Sequence, residues 1–309
     1  MRRVRHHEYG GPEVLRLEEA ETPEPADGEL LVRTEAIGVT LPVVRAVREG
    51  RGPLPGVLGG EIAGTVVAVG AGVRGFGPGD RVTSLTFSGS YAELALAPAA
   101  MASRVPDGAS AEQAVALVRG GHVALAALAT AEPGPGASVL VTGAASGVGH
   151  LAIQLARLRG ARRVVAAVGS RAKEDFLRGL GADEVVTYDS DDWGEPADIV
   201  LDGVGGEVLP RALRALAPGG RLVFFGSGGG TVPAFELLAG GKTITGLTMR
   251  RFSTARRELY ERHGKQLWDL ALSGRLSAAV HARIPLAEAA RAHEIIEART
   301  NLGKVVLLP

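Results

Sequence analysis

Residues 138–157 read SVLVTGAASGVGHLAIQLAR, and this segment constrains the fold more than any other. Its first five residues are short and β-branched, as in a strand buried on both faces. Glycines at 143, 147 and 149 then allow a sharp turn and a close backbone approach. The amphipathic run that follows predicts a helix opening near Gly147, with free N–H groups and the positive end of its dipole at the turn. A dinucleotide pyrophosphate suits such a place. The spacing departs from strict G-x-G-x-x-G, because position 145 is Ala, so the turn alone also fits an ordinary strand–helix connection.

The residues downstream continue the pattern. Strands are predicted at 164–168, 184–187, 198–201, 221–225 and 243–248, with a helix at 171–180. Strands alternating with helices make a doubly wound, six-stranded parallel sheet of the Rossmann type. The class is therefore α/β.

The 309 residues suffice for two domains. Lys plus Arg and Asp plus Glu number 34 each, which argues against a general nucleic-acid binder but not against a local anion site. Cysteine is absent, so disulfides, thiol nucleophiles and cysteine-ligated zinc are excluded. The N-terminus has no apolar leader. The most apolar stretch, 114–130, is interrupted by Arg119, Gly120, Gly121 and His122, so no membrane span is expected. The expectation is a cytoplasmic protein with neither membrane nor nucleic-acid partner.

Residues 1 to about 110 read as short strands and turns, the pattern of a small barrel-like β domain. A helix over 110–130, with Ser110 as its N-cap, leads into the nucleotide domain. Ser253 and Thr254 are expected to cap a helix with Leu259, His263, Leu267 and Leu270 on one face. The last strand, 304–308, is expected to return to the first domain. The boundaries are thus 1–117 with 251–309 for the β domain, and 118–250 for the nucleotide domain.

Six motifs in order give the chain a family likeness: Tyr9-Gly-Gly-Pro12, Gly59-Gly-Glu61-Ile-Ala-Gly64, Gly79-Asp80-Arg81-Val82, the 143–149 turn, Leu180-Gly181-Ala182-Asp183 and Gly303-Lys304. Together they resemble the zinc-independent quinone oxidoreductases of the medium-chain dehydrogenase/reductase superfamily. The resemblance implies a GroES-like β-barrel domain plus a Rossmann domain that takes NADPH. Zinc members of the superfamily place a Cys where Thr40 stands and a His before the Gly-Glu run. Neither is present, so no metal site is expected. The chain also departs from the quinone-reductase pattern. Thr40 and Val43 replace an Asn and an Asp, and His122 replaces a Thr.

Catalytic candidates are Thr40, His122 and Arg45. Thr40 hydrogen-bonds the nicotinamide ribose or a substrate oxygen, or satisfies its own loop. His122 donates a proton or hydrogen bond, or packs within its helix. Arg45 reaches a substrate carbonyl or a phosphate, or is solvated. Cofactor-binding candidates are Thr40, Ser146, Gly147, Val148, Gly169, Ser170, Arg171, Lys173, Tyr188, Gly226, Ser227, Thr248, Met249 and Asn301. No acid ends strand two, where Asp or Glu would accept from a ribose 2′-OH. Ser170, Arg171 and Lys173 suit a 2′-phosphate instead, so the cofactor is expected to be NADPH. In the family resemblance, Tyr188 closes that subsite.

The expected reaction is hydride transfer from NADPH to a quinone or another electron-poor carbonyl. The alternatives are an enone or enoyl reductase, and a nucleotide-binding structural or sensor protein. Thr243, Ile244, Thr245 and Leu247 form a β-rich edge that is expected to pair in a homodimer.

Overall fold

The computed structural model describes residues 1–86 and 88–309. The chain divides into two compact units, 1–119 with 278–309, and 120–277.

The first unit begins with strands β1 (Arg2–His6), β2 (Arg16–Glu19) and β3 (Glu29–Val39), then helix α1 (Leu41–Arg48). Strands β4 (Gly56–Val57), β5 (Glu61–Val69), β6 (Arg81–Leu85), β7 (Leu94–Pro98) and β8 (Ala102–Arg104) follow. Helix α2 (Ala111–Ala131) crosses from the first unit into the second. The second unit continues with β9 (Ser138–Thr142), α3 (Gly149–Leu158), β10 (Arg163–Val168), α4 (Glu174–Gly179), β11 (Glu184–Thr187) and β12 (Ala197–Asp202). It is completed by α5 (Val208–Arg214), β13 (Leu216–Phe224), α6 (Ala234–Gly240), β14 (Thr243–Gly246), α7 (Met249–Ala255) and α8 (Arg257–Leu272). Strand β15 (Val280–Pro285), helix α9 (Ala289–Glu297) and strand β16 (Lys304–Leu308) belong to the first unit.

In the first unit, β3 is the central strand. It pairs antiparallel with β5, β7 and β16. Its register against β5 shifts twice, as expected of a strand partner carrying Gly64. The alternating inward residues Leu30, Val32 and Ile37 meet Ile62, Val66, Val82, Val305 and Leu307 in one core. The last strand therefore does return to the first unit. This is the GroES-like β domain.

The second unit is the Rossmann domain. Its sheet runs β11-β10-β9-β12-β13-β14, and every pairing in it is parallel. All five residues of β9 are buried, because helices cover both faces of a doubly wound sheet.

Three expectations change. The second unit extends to Ser277, not 250. The reason is packing. An added Cβ at Gly121 of α2 would lie 2.4 Å from the Leu267 side chain of α8, so the two helices fit closely within one body. Ser253 and Thr254 lie inside α7, where their hydroxyls donate back to the Arg250 carbonyl at 3.2 and 3.0 Å. Helix α3 begins at Gly149, two residues later than predicted.

By length and composition α2 passes the test for a membrane-crossing helix, but 83 % of its most apolar window is buried within the protein. Its apolar surface is spent on the core.

Candidate nucleotide site

The strand order reverses about β9. Strands β10 and β11 lie on one side of it, and β12, β13 and β14 on the other. Helices on the two sides leave from opposite faces, so a crevice opens at the carboxyl ends of β9 and β12.

Strand β9 runs into Gly143, whose φ of +59° favours glycine. A Cβ on Gly149 would lie 2.2 Å from the Gly143 carbonyl oxygen. Only glycine therefore lets α3 start this close to the turn. The Ser146 amide donates to the Gly143 carbonyl at 2.9 Å, and the Gly149 amide donates to Ser146 Oγ at 3.1 Å. Ser146 is exposed, with Gly147 and Val148 half-buried behind it. The positive end of α3 thus opens toward solvent at the crevice.

At the end of β10, Gly169 and Ser170 are exposed. Ser170 Oγ accepts from the Ala172 amide at 3.3 Å. Arg171 is paired with Glu174 at 3.1 Å, with its side chain 69 % exposed. Such a pair contributes little and leaves the guanidinium able to swing. Lys173 follows, half-buried. The Tyr188 hydroxyl accepts from the Gly143 amide at 2.7 Å and donates to the Ala167 carbonyl at 3.1 Å. One side chain thus ties the glycine turn to the end of β10. Gly226 and Ser227 follow β13, and Thr248 and Met249 follow β14. The sheet brings all of these expected residues to its carboxyl edge.

Asp202, at the end of β12, is a residue that the sequence reading passed over. It is fully buried. Its Oδ1 accepts from Thr142 Oγ1 at 2.5 Å and from the Val204 and Gly205 amides at 2.9 and 3.2 Å. It therefore fixes β9 to β12 at the crevice. The available signal was an acid that ends an apolar strand immediately before a glycine run.

The remaining candidates are distributed between the units. Thr40, Arg45 and Asn301 belong to the first, and His122 to the second. Thr40 precedes α1, and its buried Oγ1 has no hydrogen-bond partner among the described residues. Arg45 lies on α1, half-buried, where desolvation and the charge of Arg299 lower its pKa. Asn301 Nδ2 donates to the Gly303 carbonyl at 2.8 Å. His122 is 1 % exposed and stacks on Tyr260 at 4.0 Å between ring centroids. Burial, and secondarily the charge of His263, push its pKa down to about 3. At neutral pH it is an uncharged imidazole packed among rings.

The first unit also holds a buried charge cluster. Glu61 pairs with Lys304, and with Arg119 at 3.2 Å. Among the described residues, no group of three or more His, Asp or Glu is arranged to hold a metal ion.

Residues 26–107 match the alcohol dehydrogenase GroES-like domain, and residues 147–263 the zinc-binding dehydrogenase domain. The chain is 33 % identical to quinone oxidoreductase 1 of Escherichia coli strain K12, over 99 % of each chain. It is 30 % identical to a 2-haloacrylate reductase of a Burkholderia species, over 98 % of this chain and 97 % of the relative. The crystal structure of Escherichia coli quinone oxidoreductase complexed with NADPH superposes with a TM-score of 0.93 at 33 % identity, covering all of both chains.

Proposed function

The chain belongs to the quinone oxidoreductase family of the medium-chain dehydrogenases/reductases, and we infer from this that it transfers hydride from NADPH to a quinone or another electron-poor carbonyl compound. The observation that carries the reading is the carboxyl edge of the parallel sheet. There the glycine turn, the start of α3 and an acid-free end of β10 lie side by side.

The residues fit the nucleotide. Gly143 and Gly149 let α3 start tight against the turn, since a Cβ on Gly149 would strike it, and this puts the free amides of the helix start where a pyrophosphate would bind. Gly169 and Ser170 make space beyond β10, and a Cβ on Gly169 would meet only the Tyr188 ring, at 3.8 Å. Ser170, Arg171 and Lys173 would hold the 2′-phosphate. Ser146, Gly147 and Val148 would hold the pyrophosphate. Gly226, Ser227, Thr248 and Met249 would border the nicotinamide. When bound, NADPH supplies the hydride.

The protein's part is to position the acceptor and to meet negative charge developing on its oxygen. The unpartnered hydroxyl of Thr40 suits that role, and Arg45 on the next helix adds a positive field. His122, uncharged and stacked, supports the helix beside it instead of supplying a proton as imidazolium. A quinone places the least demand on such a site, because aromaticity stabilises the reduced product.

The reaction needs no metal in this reading. Although the matched domain bears the name of zinc-binding dehydrogenases, cysteine is absent here and Thr40 stands where the first ligand would be. The protein is read as a homodimer: β14 ends the sheet, and Phe235 and Leu238 of the preceding helix are 74 % and 77 % exposed. A cytoplasmic location agrees with the use of NADPH. The relative named as a 2-haloacrylate reductase keeps an activated-alkene acceptor as the second reading.

The deciding experiment is NADPH oxidation with a panel of quinones, enones and halogenated acrylates, before and after chelator treatment. Turnover of quinones that survives the chelator is the expected result. Turnover confined to alkenes would select the second reading, and activity restored only by zinc would defeat the metal-free one.

A further inference from the structure

Helix α8 and the residues after α3 border a groove of about 540 Å³ in the second unit. Four cations line it, Arg159, Arg262, Lys265 and Arg275, against the single carboxylate of Asp269. The chain as a whole is balanced, with 34 residues of each sign, so this local surplus stands out. Arg262 reaches Glu258 only at 3.9 Å, between side chains 65 % and 93 % exposed, a pair of negligible strength. Among the described residues, Arg159, Lys265 and Arg275 have no carboxylate partner.

His263 supplies a second and independent observation. It lines the same groove, yet it is only 2 % exposed, and neither ring nitrogen has a hydrogen-bond partner among the described residues. Phe252 of α7 stacks on it at 5.8 Å between ring centroids, and His122 of α2 lies at 6.4 Å. Arg159 and Arg262 also act on the ring. Burial, then the charges of these two arginines, lower its pKa to about 4. The imidazole is thus neutral, with one N–H to give and no acceptor.

We propose that this groove is a binding site for a small phosphate-class anion, held by Arg159, Arg262 and Arg275. Guanidinium forks match the oxygens of a tetrahedral anion better than ammonium groups do. The volume suits a small molecule, and the balanced charge of the chain does not favour an extended polyanion. The site is distinct from the nucleotide crevice. Arg159 follows the carboxyl end of the ten-residue α3, whose amino end faces the crevice. A helix of that length separates the two by about 15 Å.

The test is titration calorimetry with inorganic phosphate, with NADP⁺ saturating the nucleotide crevice and chloride holding the ionic strength constant. Saturable binding of one phosphate per chain is expected. Arg159→Gln and Arg275→Gln should each weaken it at least tenfold, while melting temperature and KM for NADPH stay unchanged. Phosphate heats equal to those of chloride, or unaltered affinity in both variants, would overturn the proposal. Co-sedimentation with vesicles bearing phosphate headgroups, without binding of free phosphate, would overturn it equally.

Discussion

Glu61 and Lys304 form an ion pair across the space that a side chain on Gly38 would fill. Glu61 is 1 % exposed and Lys304 is 7 % exposed. Gly38 pairs with Glu61 on one side and with Val306 on the other, so the pair bridges β5 and β16 over the central strand. Burial lowers the Lys304 pKa to about 7. Removing Glu61 leaves the buried Lys304 ammonium uncompensated, at about 3–5 kcal/mol, whereas removing Lys304 leaves Glu61 with Arg119 at 3.2 Å.

Glu61→Met is therefore expected to destabilise the protein by about that amount in urea unfolding, and Lys304→Met by less, because Arg119 stays beside Glu61. Gly38→Ala should approach the Glu61→Met cost, because the new Cβ would lie 2.3 Å from Glu61 Oε1. The double variant Glu61→Met/Lys304→Met should cost much less than the sum of its singles. Strict additivity would show that the pair is not coupled.

Discrimination between NADPH and NADH should reside at the end of β10. One charge-assisted contact to phosphate contributes about 1.5–3 kcal/mol, and about 1.4 kcal/mol is tenfold. The kcat/KM ratio for NADPH over NADH should therefore exceed roughly ten, and Arg171→Ala/Lys173→Ala should bring it down by at least that factor. A wild-type ratio near one would contradict the assignment.

Thr40 separates a ligand-binding role from a structural one. Its Oγ1 is buried and unpartnered, so the fold gains nothing from the hydroxyl. Thr40→Val should leave the melting temperature equal or higher, while the single-turnover rate of hydride transfer falls about tenfold, the size of one lost hydrogen bond. An unchanged rate would return Thr40 to a purely structural role.

Stability should decline in mild acid. His122, His150, His263 and His293 are each held neutral chiefly by burial, at about 3, 4, 4 and 4. An unfolded histidine titrates near 6.5. Between these values the unfolded chain binds protons that the folded one refuses, so stability falls as pH drops from about 6.5 toward 4. Each group contributes up to about 1.4 kcal/mol per pH unit across that window. Melting curves should reveal the decline, and His293→Gln should flatten it. Equal melting temperatures at pH 7 and pH 4.5 would contradict the assignment.

The edge of the parallel sheet should carry the dimer contact. Light scattering at micromolar concentration should give twice the chain mass, and Phe235→Glu/Leu238→Glu should shift it toward one. A monomeric wild type would reject this.

Sequence alone determined the elements whose signal is local. The apolar run of β9, the glycine turn after it and the spacing of strands beyond it are set by backbone sterics and by burial on both faces, and these are written in neighbouring residues. So is the absence of an acid after β10. Tertiary structure decided what depends on residues far apart in the chain. Glu61 looked like part of a glycine-pinned strand until the last strand brought Lys304 to it, 243 positions later by numbering. His122 read equally as a proton donor or a packed residue, and its stacking on Tyr260 and the burial that lowers its pKa were not written in its neighbours. The boundary at 277 followed from α8 packing on α2, which the composition near 250 does not encode. Desolvation and ion pairing depend on the three-dimensional neighbourhood, and only the folded chain supplies it.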